Sequence, residues 1–132
     1  MSGSSAEAQS APTLKEIEDA AGLLAGRVLT TPVVPLVSDR IRPHLPSGVD
    51  VRMKLELFQH TGSFKARGAL LNVLRLSPEA RSRGITAVSA GNHAIAAAWA
   101  ARQVGTTAKV VMMASADPVR VAACKALGAE VV

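Results

Sequence analysis

The chain has 132 residues, of which 48% are hydrophobic and 19% are charged, a balance typical of a globular rather than a disordered protein. Its formal net charge of +5 comes from scattered single cations, and only 2% of the residues are aromatic. Nucleic-acid-binding domains usually offer a basic patch or stacking rings, so this class is disfavoured and no nucleic-acid partner is expected.

The start of the chain has none of the features of a secretory signal. Residues 1–12 are small and polar, and we expect them to form a disordered tail. No apolar segment is long enough to cross a bilayer, so we expect a cytoplasmic protein with no membrane partner. The only cysteine, Cys124, is predicted to be a buried, unreactive thiol. No metal site is predicted, because metal-ligand spacing is missing between the three histidines, which are His44, His60 and His93.

The first predicted helix begins at Thr13, which forms a capping box with Glu16, and it ends at Gly26. Several prolines between residues 30 and 48 exclude a long helix there. Alternating apolar and polar residues predict a strand over 49–57. A second helix is predicted from about residue 64 to residue 76.

The second half of the chain alternates predicted strands with predicted helices. A short helix over 77–84 is followed by strands at 85–89, 108–113 and 129–132, which alternate with helices at 91–105 and 117–127. This rhythm, with apolar strands, predicts parallel βαβ units of an α/β fold. The last strand would have unpaired edges, so we expect the chain to be the front part of a larger protein.

The stretch TGSFKARGA places Lys65 at the start of the second helix. If Ser63 caps this helix, the helix dipole disfavours a charged amine in its first turn by roughly 0.3–1 kcal/mol, and partial burial would act in the same direction. A helical wheel of this second helix places Gly68, Ala69 and Asn72 on the same face as Lys65. An accessible neutral amine is what attachment to an aldehyde cofactor requires, whereas the ordinary alternative is a lysine that extends into solvent.

A second stretch, SAGNHA, connects a predicted strand to a predicted helix. Such a turn presents free backbone N–H groups to an anion. Gly91 allows a ligand to approach closely, and Asn92 can cap the helix or donate a hydrogen bond. The ordinary alternative is a strand–helix connection whose helix is capped by Asn92.

Together and in this order, KLELFQHTGSFKARGA and VSAGNHA resemble the fold type II pyridoxal-phosphate (PLP) enzymes, and within them the threonine/serine dehydratase and serine racemase family. The flanking stretches LKEIEDAAGLLAGRVLTTPV and AKVVMMASADPVRVAACKALGAEVV also resemble that family. The resemblance implies an α/β fold of parallel βαβ units, like that of the tryptophan synthase β subunit, which we expect to be truncated here. Residues 13–76 would belong to the large PLP-binding domain, and residues 77–132 would start the small parallel α/β domain.

The resemblance also implies a role for each matching residue. Lys65 would hold PLP covalently and move the proton of the substrate Cα. Phe64 would pack beside the cofactor, and Asn92 would hydrogen-bond its phenolic oxygen. The residues implied to cradle the carboxylate of a small amino-acid substrate are Ser89, Gly91, Asn92 and His93.

The implied reaction is elimination of the β-hydroxyl of threonine or serine, through an aminoacrylate, to a 2-oxo acid and ammonia. Ala90 stands where similar racemases carry an acid/base serine, which favours a dehydratase over a racemase. The family's glycine-rich phosphate loop has no counterpart here, so the chain would carry only the N-terminal part of the site of a homo-oligomeric enzyme. The alternatives are a non-catalytic fragment or interaction remnant of the same fold, and an amino-acid racemase. Departures from the family's usual residues occur at Ile95, Met113, Asp117 and Arg120.

Overall fold

A computed structural model describes residues 11–132, in which helices alternate with short strands. The helices are α1 (Leu14–Leu24), α2 (Lys65–Leu74), α3 (Pro78–Ser82), α4 (Asn92–Gln103) and α5 (Pro118–Ala126). The strands are β1 (Val33–Pro35), β2 (Arg52–Lys54), β3 (Ile85–Val88), β4 (Ala108–Val111) and β5 (Glu130–Val131). Single-turn 3₁₀ helices cover Arg42–His44, Glu56–Phe58 and His60–Gly62. No helix over 11–132 combines the length and apolarity needed to span a membrane. The predicted disordered tail lies outside the described residues except for residues 11 and 12.

The three strands of the second half form one sheet in the order β3-β4-β5, and both pairings are parallel. This confirms the parallel βαβ units predicted from the sequence. Helices α4 and α5 connect successive strands and pack against each other. Along β4, Ala108 and Val110 are buried, whereas Val111 is exposed, as is Val88 on β3. One face of the sheet is therefore covered by helices and the other is open.

The strand predicted over 49–57 is wrong in its extent, because only β2 pairs within it. Its partner is β1, which lies antiparallel to β2 inside the proline-containing segment and was missed by the sequence reasoning. Proline has no backbone N–H to donate, so Pro32 cannot return the hydrogen bond that its carbonyl accepts from Leu55, whereas Pro35 pairs with Arg52 inside the ladder. After Leu55, whose N–H donates to the Pro32 carbonyl, the chain turns into a 3₁₀ helix.

The core is built around α4, which is buried on two sides. Its alanines allow close approach of α2 on one side and of the sheet and α5 on the other. The buried residues between α1, α2 and α4 are Leu24, Ala66, Ala69, Leu70, Val73, Ala96, Trp99 and Ala100. Those between α4, the sheet and α5 are Ala94, Ala98, Ala101, Ala108, Val110, Cys124 and Ala129.

Two further expectations concern this core. The buried Cys124 thiol is confirmed, and desolvation raises its pKa above the ordinary value. The first cluster joins side chains from before and after residue 76, so α2 and α4 are packed as neighbours. The division into domains over 13–76 and 77–132 stays a prediction.

Candidate active site

The turn that leads into α2 has an unusual backbone. Thr61 has φ 64° and ψ 13°, and Gly62 has φ 70°, so two successive residues adopt the left-handed conformation. Glycine adopts it freely, whereas a β-branched threonine does so at a cost of about 1–3 kcal/mol. Such residues persist where the surrounding structure holds them, and they cluster at functional sites. The strained turn lies directly before Phe64 and Lys65.

Helix α2 begins at Lys65, and the predicted cap by Ser63 is wrong. The N-cap residue is Phe64, which offers no capping side chain. Ser63 follows the left-handed turn in an extended conformation and lies one position before the N-cap. The Oγ1 atom of Thr61 and the Oγ atom of Ser63 are buried, and neither has a hydrogen-bond partner within residues 11–132. Buried hydroxyls are normally paired, so this turn holds unused hydrogen-bonding capacity.

The side chain of Lys65 is exposed, so the partial burial considered from the sequence is wrong. Its Nζ atom lies 4.9 Å from the centre of the Phe64 ring, within the range of a cation–π contact. The Phe64 side chain is itself 59% exposed. An amine and an aromatic face therefore stand together at the N-terminus of α2, open to an incoming molecule.

The turn between β3 and α4 offers hydrogen-bond donors. The Gly91 N–H donates to Ser89 Oγ over 3.1 Å. The N–H groups of Asn92 and His93, the first two residues of α4, have no acceptor in the described part of the chain. The free N–H groups expected from the sequence are therefore present; such groups at a helix N-terminus favour an anion, and the anion site itself stays a prediction. The N-cap of α4 is Gly91 and not Asn92, which is the first helical residue.

Gly91 leaves open space beside this turn. Its backbone, with φ −119° and ψ −155°, is extended and accessible to any residue type. A Cβ atom built on Gly91 would meet only Ser89 Oγ, at 3.8 Å. The fold of residues 11–132 therefore does not require glycine here, and the space is compatible with a ligand that approaches the backbone closely.

The two turns are linked through the packing of the helices that follow them. Helix α2 and the His60–Gly62 turn both pack against α4. His93 lines a cleft of about 280 Å³ together with Ala69 and Asn72, which lie one and two helical turns after Lys65 on the same face of α2. Among the described residues, no hydrogen bond joins the Lys65 side chain to the β3–α4 turn.

Sequence reasoning missed an ion pair that anchors α2 on the face opposite Lys65. Arg67 donates from Nε and Nη2 to the two carboxylate oxygens of Glu56, each over 2.8 Å, and also from Nη2 to the Leu29 carbonyl over 3.0 Å. The hydrogen bond from Arg67 lowers the pKa of Glu56 to about 2, and Thr31 also donates to Glu56. The same hydrogen bond raises the pKa of Arg67.

Gln59 makes a second connection to the same segment. Its side chain is buried, donates from Nε2 to the Leu29 carbonyl over 2.9 Å and accepts the Leu29 N–H over 3.0 Å. Its Oε1 atom also accepts the N–H of His60, where the strained turn begins. The segment around Leu29 thus fixes both ends of the turn that presents Lys65. A glutamate and an arginine eleven residues apart carry no sequence signal of pairing, which is why this link was not predicted.

One further contact reaches the second turn from outside it. Arg120, the third residue of α5, donates from Nη1 to Asn92 Oδ1 over 2.8 Å. These residues are 28 positions apart in the sequence, so only the fold shows the contact.

Comparisons with known proteins agree with this geometry. A family model described as "Pyridoxal-phosphate dependent enzyme" matches residues 25–132. The phenylserine dehydratase of Ralstonia pickettii is 48% identical over 123 residues, which are 91% of this chain and 36% of that protein. The solved threonine deaminase isoform 2 of Solanum lycopersicum is 30% identical with a TM-score of 0.70, over 92% of this chain and 34% of its own. The solved serine racemase of Dictyostelium discoideum is 32% identical with a TM-score of 0.80, over 91% of this chain and 38% of its own. The chain thus spans about a third of the length of these relatives.

Proposed function

The chain belongs to the family of pyridoxal-phosphate-dependent enzymes with the type II fold, and we propose that it carries the lysine-bearing part of a threonine or serine dehydratase site. The proposed reaction breaks the Cα–H and Cβ–OH bonds of the amino acid and forms a Cα=Cβ bond, with loss of water. The resulting enamine takes up water and releases ammonia, which leaves a 2-oxo acid. Support comes from the relatives, which include a dehydratase, a threonine deaminase and a serine racemase.

The residues at the two turns fit pyridoxal phosphate, which presents an aldehyde, an aromatic ring and anionic oxygens. When bound, this cofactor supplies an electron-poor ring that accepts the electrons left when the substrate Cα loses its proton. Lys65 offers an exposed amine for the aldehyde, and Phe64 offers an exposed aromatic face beside it. Asn92 offers an amide at the N-terminus of α4 for the phenolic oxygen.

The proposed roles of the side chains follow from these positions. Lys65 Nζ binds the cofactor and, once free, accepts the proton of the substrate Cα. The N–H groups of Asn92 and His93 bind the substrate carboxylate, since they are unpaired among residues 11–132 and stand at the positive end of the helix dipole. The Ser89 hydroxyl accepts the Gly91 N–H, so its own hydrogen can be donated to the same carboxylate.

Ala90 supports dehydration rather than racemisation. Racemisation needs a second group that moves a proton on the face of the substrate opposite Lys65. The methyl group of Ala90 has no transferable proton, at the position where similar racemases carry a serine. With Lys65 as the only proton-moving group that we assign, loss of the β-hydroxyl is the proposed outcome.

The observation that carries the proposal is the exposed amine of Lys65, held at the first position of α2 by a strained turn. To test it, the purified chain is incubated with pyridoxal phosphate and reduced with borohydride, and the modified peptide is mapped by mass spectrometry. We expect labelling concentrated on Lys65 and lost in Lys65→Ala. Lys125→Ala is the matched control, because Lys125 is an exposed lysine in the last turn of α5. Equal low labelling of all lysines would contradict the assignment.

A second candidate is a non-catalytic remnant of the same fold. The 132 residues, about a third of the length of the relatives, contain no Gly-Gly pair from which a glycine-rich phosphate loop could be built. We therefore expect Lys65 labelling to occur with little release of ammonia from threonine or serine by residues 1–132 alone. Rapid ammonia release by this chain would show that the cofactor is held well enough without such a loop.

A further inference from the structure

We propose that Arg120 is a positioning residue that fixes the orientation of the Asn92 amide, so that its NH₂ group faces the bound cofactor. The proposal rests on the proposed role of Asn92 in binding the phenolic oxygen. The observation behind it is the hydrogen bond from Arg120 Nη1 to Asn92 Oδ1, over 2.8 Å. This contact links the turn after β3 to the helix that follows β4.

The chemistry of the two side chains makes this contact directional. A guanidinium group only donates hydrogen bonds, whereas an asparagine amide accepts through oxygen and donates through nitrogen. Arg120 can therefore be satisfied only by the oxygen of Asn92, and the nitrogen must point elsewhere. Within residues 11–132, the Nδ2 atom of Asn92 donates to no protein acceptor. The NH₂ group is thus available to an acceptor that is not part of the described chain.

The surroundings of Arg120 leave its charge available for this purpose. Asp117, the N-cap of α5, already uses its Oδ1 atom to accept the Val119 N–H over 2.8 Å. In the described structure no carboxylate forms an ion pair with Arg120, which is half-buried. Its hydrogen bond to Asn92 is therefore charge-assisted and stronger than one between neutral groups.

The position of the pair in the fold agrees with a role in ligand binding. Asn92 follows β3 and Arg120 follows β4, and these strands are neighbours in a parallel sheet. Ligands of open α/β sheets bind outside the carboxyl ends of the strands, and both residues follow such an end. An NH₂ group fixed at this place can only donate hydrogen bonds. It therefore favours an anionic oxygen, which accepts them, over the hydrogen of a hydroxyl group, which is itself a donor.

The first test examines the amide without any cofactor, and therefore does not depend on the proposed function. Three variants separate the possibilities: Arg120→Lys keeps a cationic donor, Arg120→Met removes all polarity, and Arg120→Glu offers only acceptors. Nuclear Overhauser contacts from the Asn92 NH₂ hydrogens to the side chain at position 120 report which amide atom faces it. We expect these contacts to be weak in the unsubstituted chain and in Arg120→Lys, and strong in Arg120→Glu. Strong contacts in the unsubstituted chain would overturn the proposal.

The second test examines affinity for pyridoxal phosphate, through the concentration that gives half-maximal borohydride trapping at Lys65. We expect Arg120→Met to raise this concentration about tenfold, which corresponds to ~1.4 kcal/mol, and Arg120→Glu to raise it further. We also expect Arg120→Met to shift the absorption band of the bound cofactor. Arg120→Lys should restore most of the affinity and the original position of this band. The controls are Arg102→Met and Arg102→Glu, because Arg102 is exposed near the end of α4 and its side chain contacts no acceptor among the described residues.

The outcomes distinguish the two proposals. If Lys65 is not trapped in the unsubstituted chain, the proposed function is wrong, and the NMR experiment still decides whether Arg120 orients Asn92. If Lys65 is trapped and Arg120→Met binds pyridoxal phosphate as well as the Arg102→Met control, the positioning role is wrong. A tenfold loss in Arg120→Met without recovery in Arg120→Lys would also refute orientation by a donor.

Discussion

The ion pair between Glu56 and Arg67 makes the stability of the fold dependent on acid. The hydrogen bond from Arg67 lowers the pKa of Glu56 from 4.5 to about 2 in the folded state. Fully expressed, this difference corresponds to ~3 kcal/mol of stabilisation at neutral pH. The side chains of Arg67 and Glu56 are 30% and 17% exposed, so screening by solvent reduces the contribution to about 1–2 kcal/mol.

The sign follows from proton binding. Because the Glu56 carboxyl binds its proton less readily in the folded state than in the unfolded chain, its contribution is complete above about pH 4.5. It is lost progressively as the pH falls toward the folded-state pKa of about 2. In Glu56→Gln, which has no titratable group at this position, we expect stability to be about 1–2 kcal/mol lower at pH 7 and to fall less on acidification.

The assay is urea unfolding followed by circular dichroism, at several pH values between about 7 and 2.5. Glu18→Gln serves as the control, because Glu18 is an exposed carboxyl group on α1 without a hydrogen-bond or ion-pair partner in the described structure. The unsubstituted chain and this control should lose stability together as the pH falls, and Glu56→Gln should lose less. An equal loss in all three would refute the reasoning.

Two further predictions concern the packing of the fold. Gly84 has φ 81°, and a Cβ atom there would clash with Thr107 Oγ1, so we expect Gly84→Ala to lower the free energy of unfolding by about 2–3 kcal/mol. Gly22→Ala, inside α1 with open space around it, should raise it by about 0.5–1 kcal/mol, and urea unfolding of both variants measures the contrast. Cys124 is buried and its pKa is raised, so a disulfide reagent should label it at a rate limited by opening of the fold and rapidly in denaturant. Fast labelling in the absence of denaturant would contradict the observed burial.

Much of the second half of the fold could be predicted from the sequence, because short continuous stretches of residues are enough to identify its strands and the ends of its helices. Apolar strands separated by helices with clear ends give the order of β3, α4, β4, α5 and β5 without knowledge of contacts. The capping box of Thr13 with Glu16 is confirmed for the same reason, since both hydrogen bonds lie within one helical turn.

Two of the errors concern the residue at which a helix begins. Serine is a common N-cap residue, but Ser63 is extended after the left-handed Thr61 and Gly62. The N-cap of α2 is therefore the next residue, Phe64. Asparagine is also a common N-cap residue, but Asn92 is the first helical residue of α4, and its Oδ1 atom accepts a hydrogen bond from Arg120. In both cases a turn or contact outside the helix accompanies a helix start that the residue type alone does not predict.

The site itself follows the same division. The lysine and the strand–helix turn could be found as motifs, because each is a continuous stretch of sequence. The supports of the first turn, the ion pair of Glu56 with Arg67 and the buried amide of Gln59, join segments that are 11 and 30 residues apart. Such pairings leave no periodic pattern, and only the folded chain identifies them.

The stacked rings of His60 and Trp99 give the protein an optical probe of its own site. Trp99 is the only tryptophan, and its ring lies 4.9 Å from that of His60 with an angle of 25° between the planes. His60 begins the turn that precedes Lys65, so movement of this turn should change the quenching of a single fluorophore. We therefore expect tryptophan emission to report movement of this turn when a ligand attaches at the lysine.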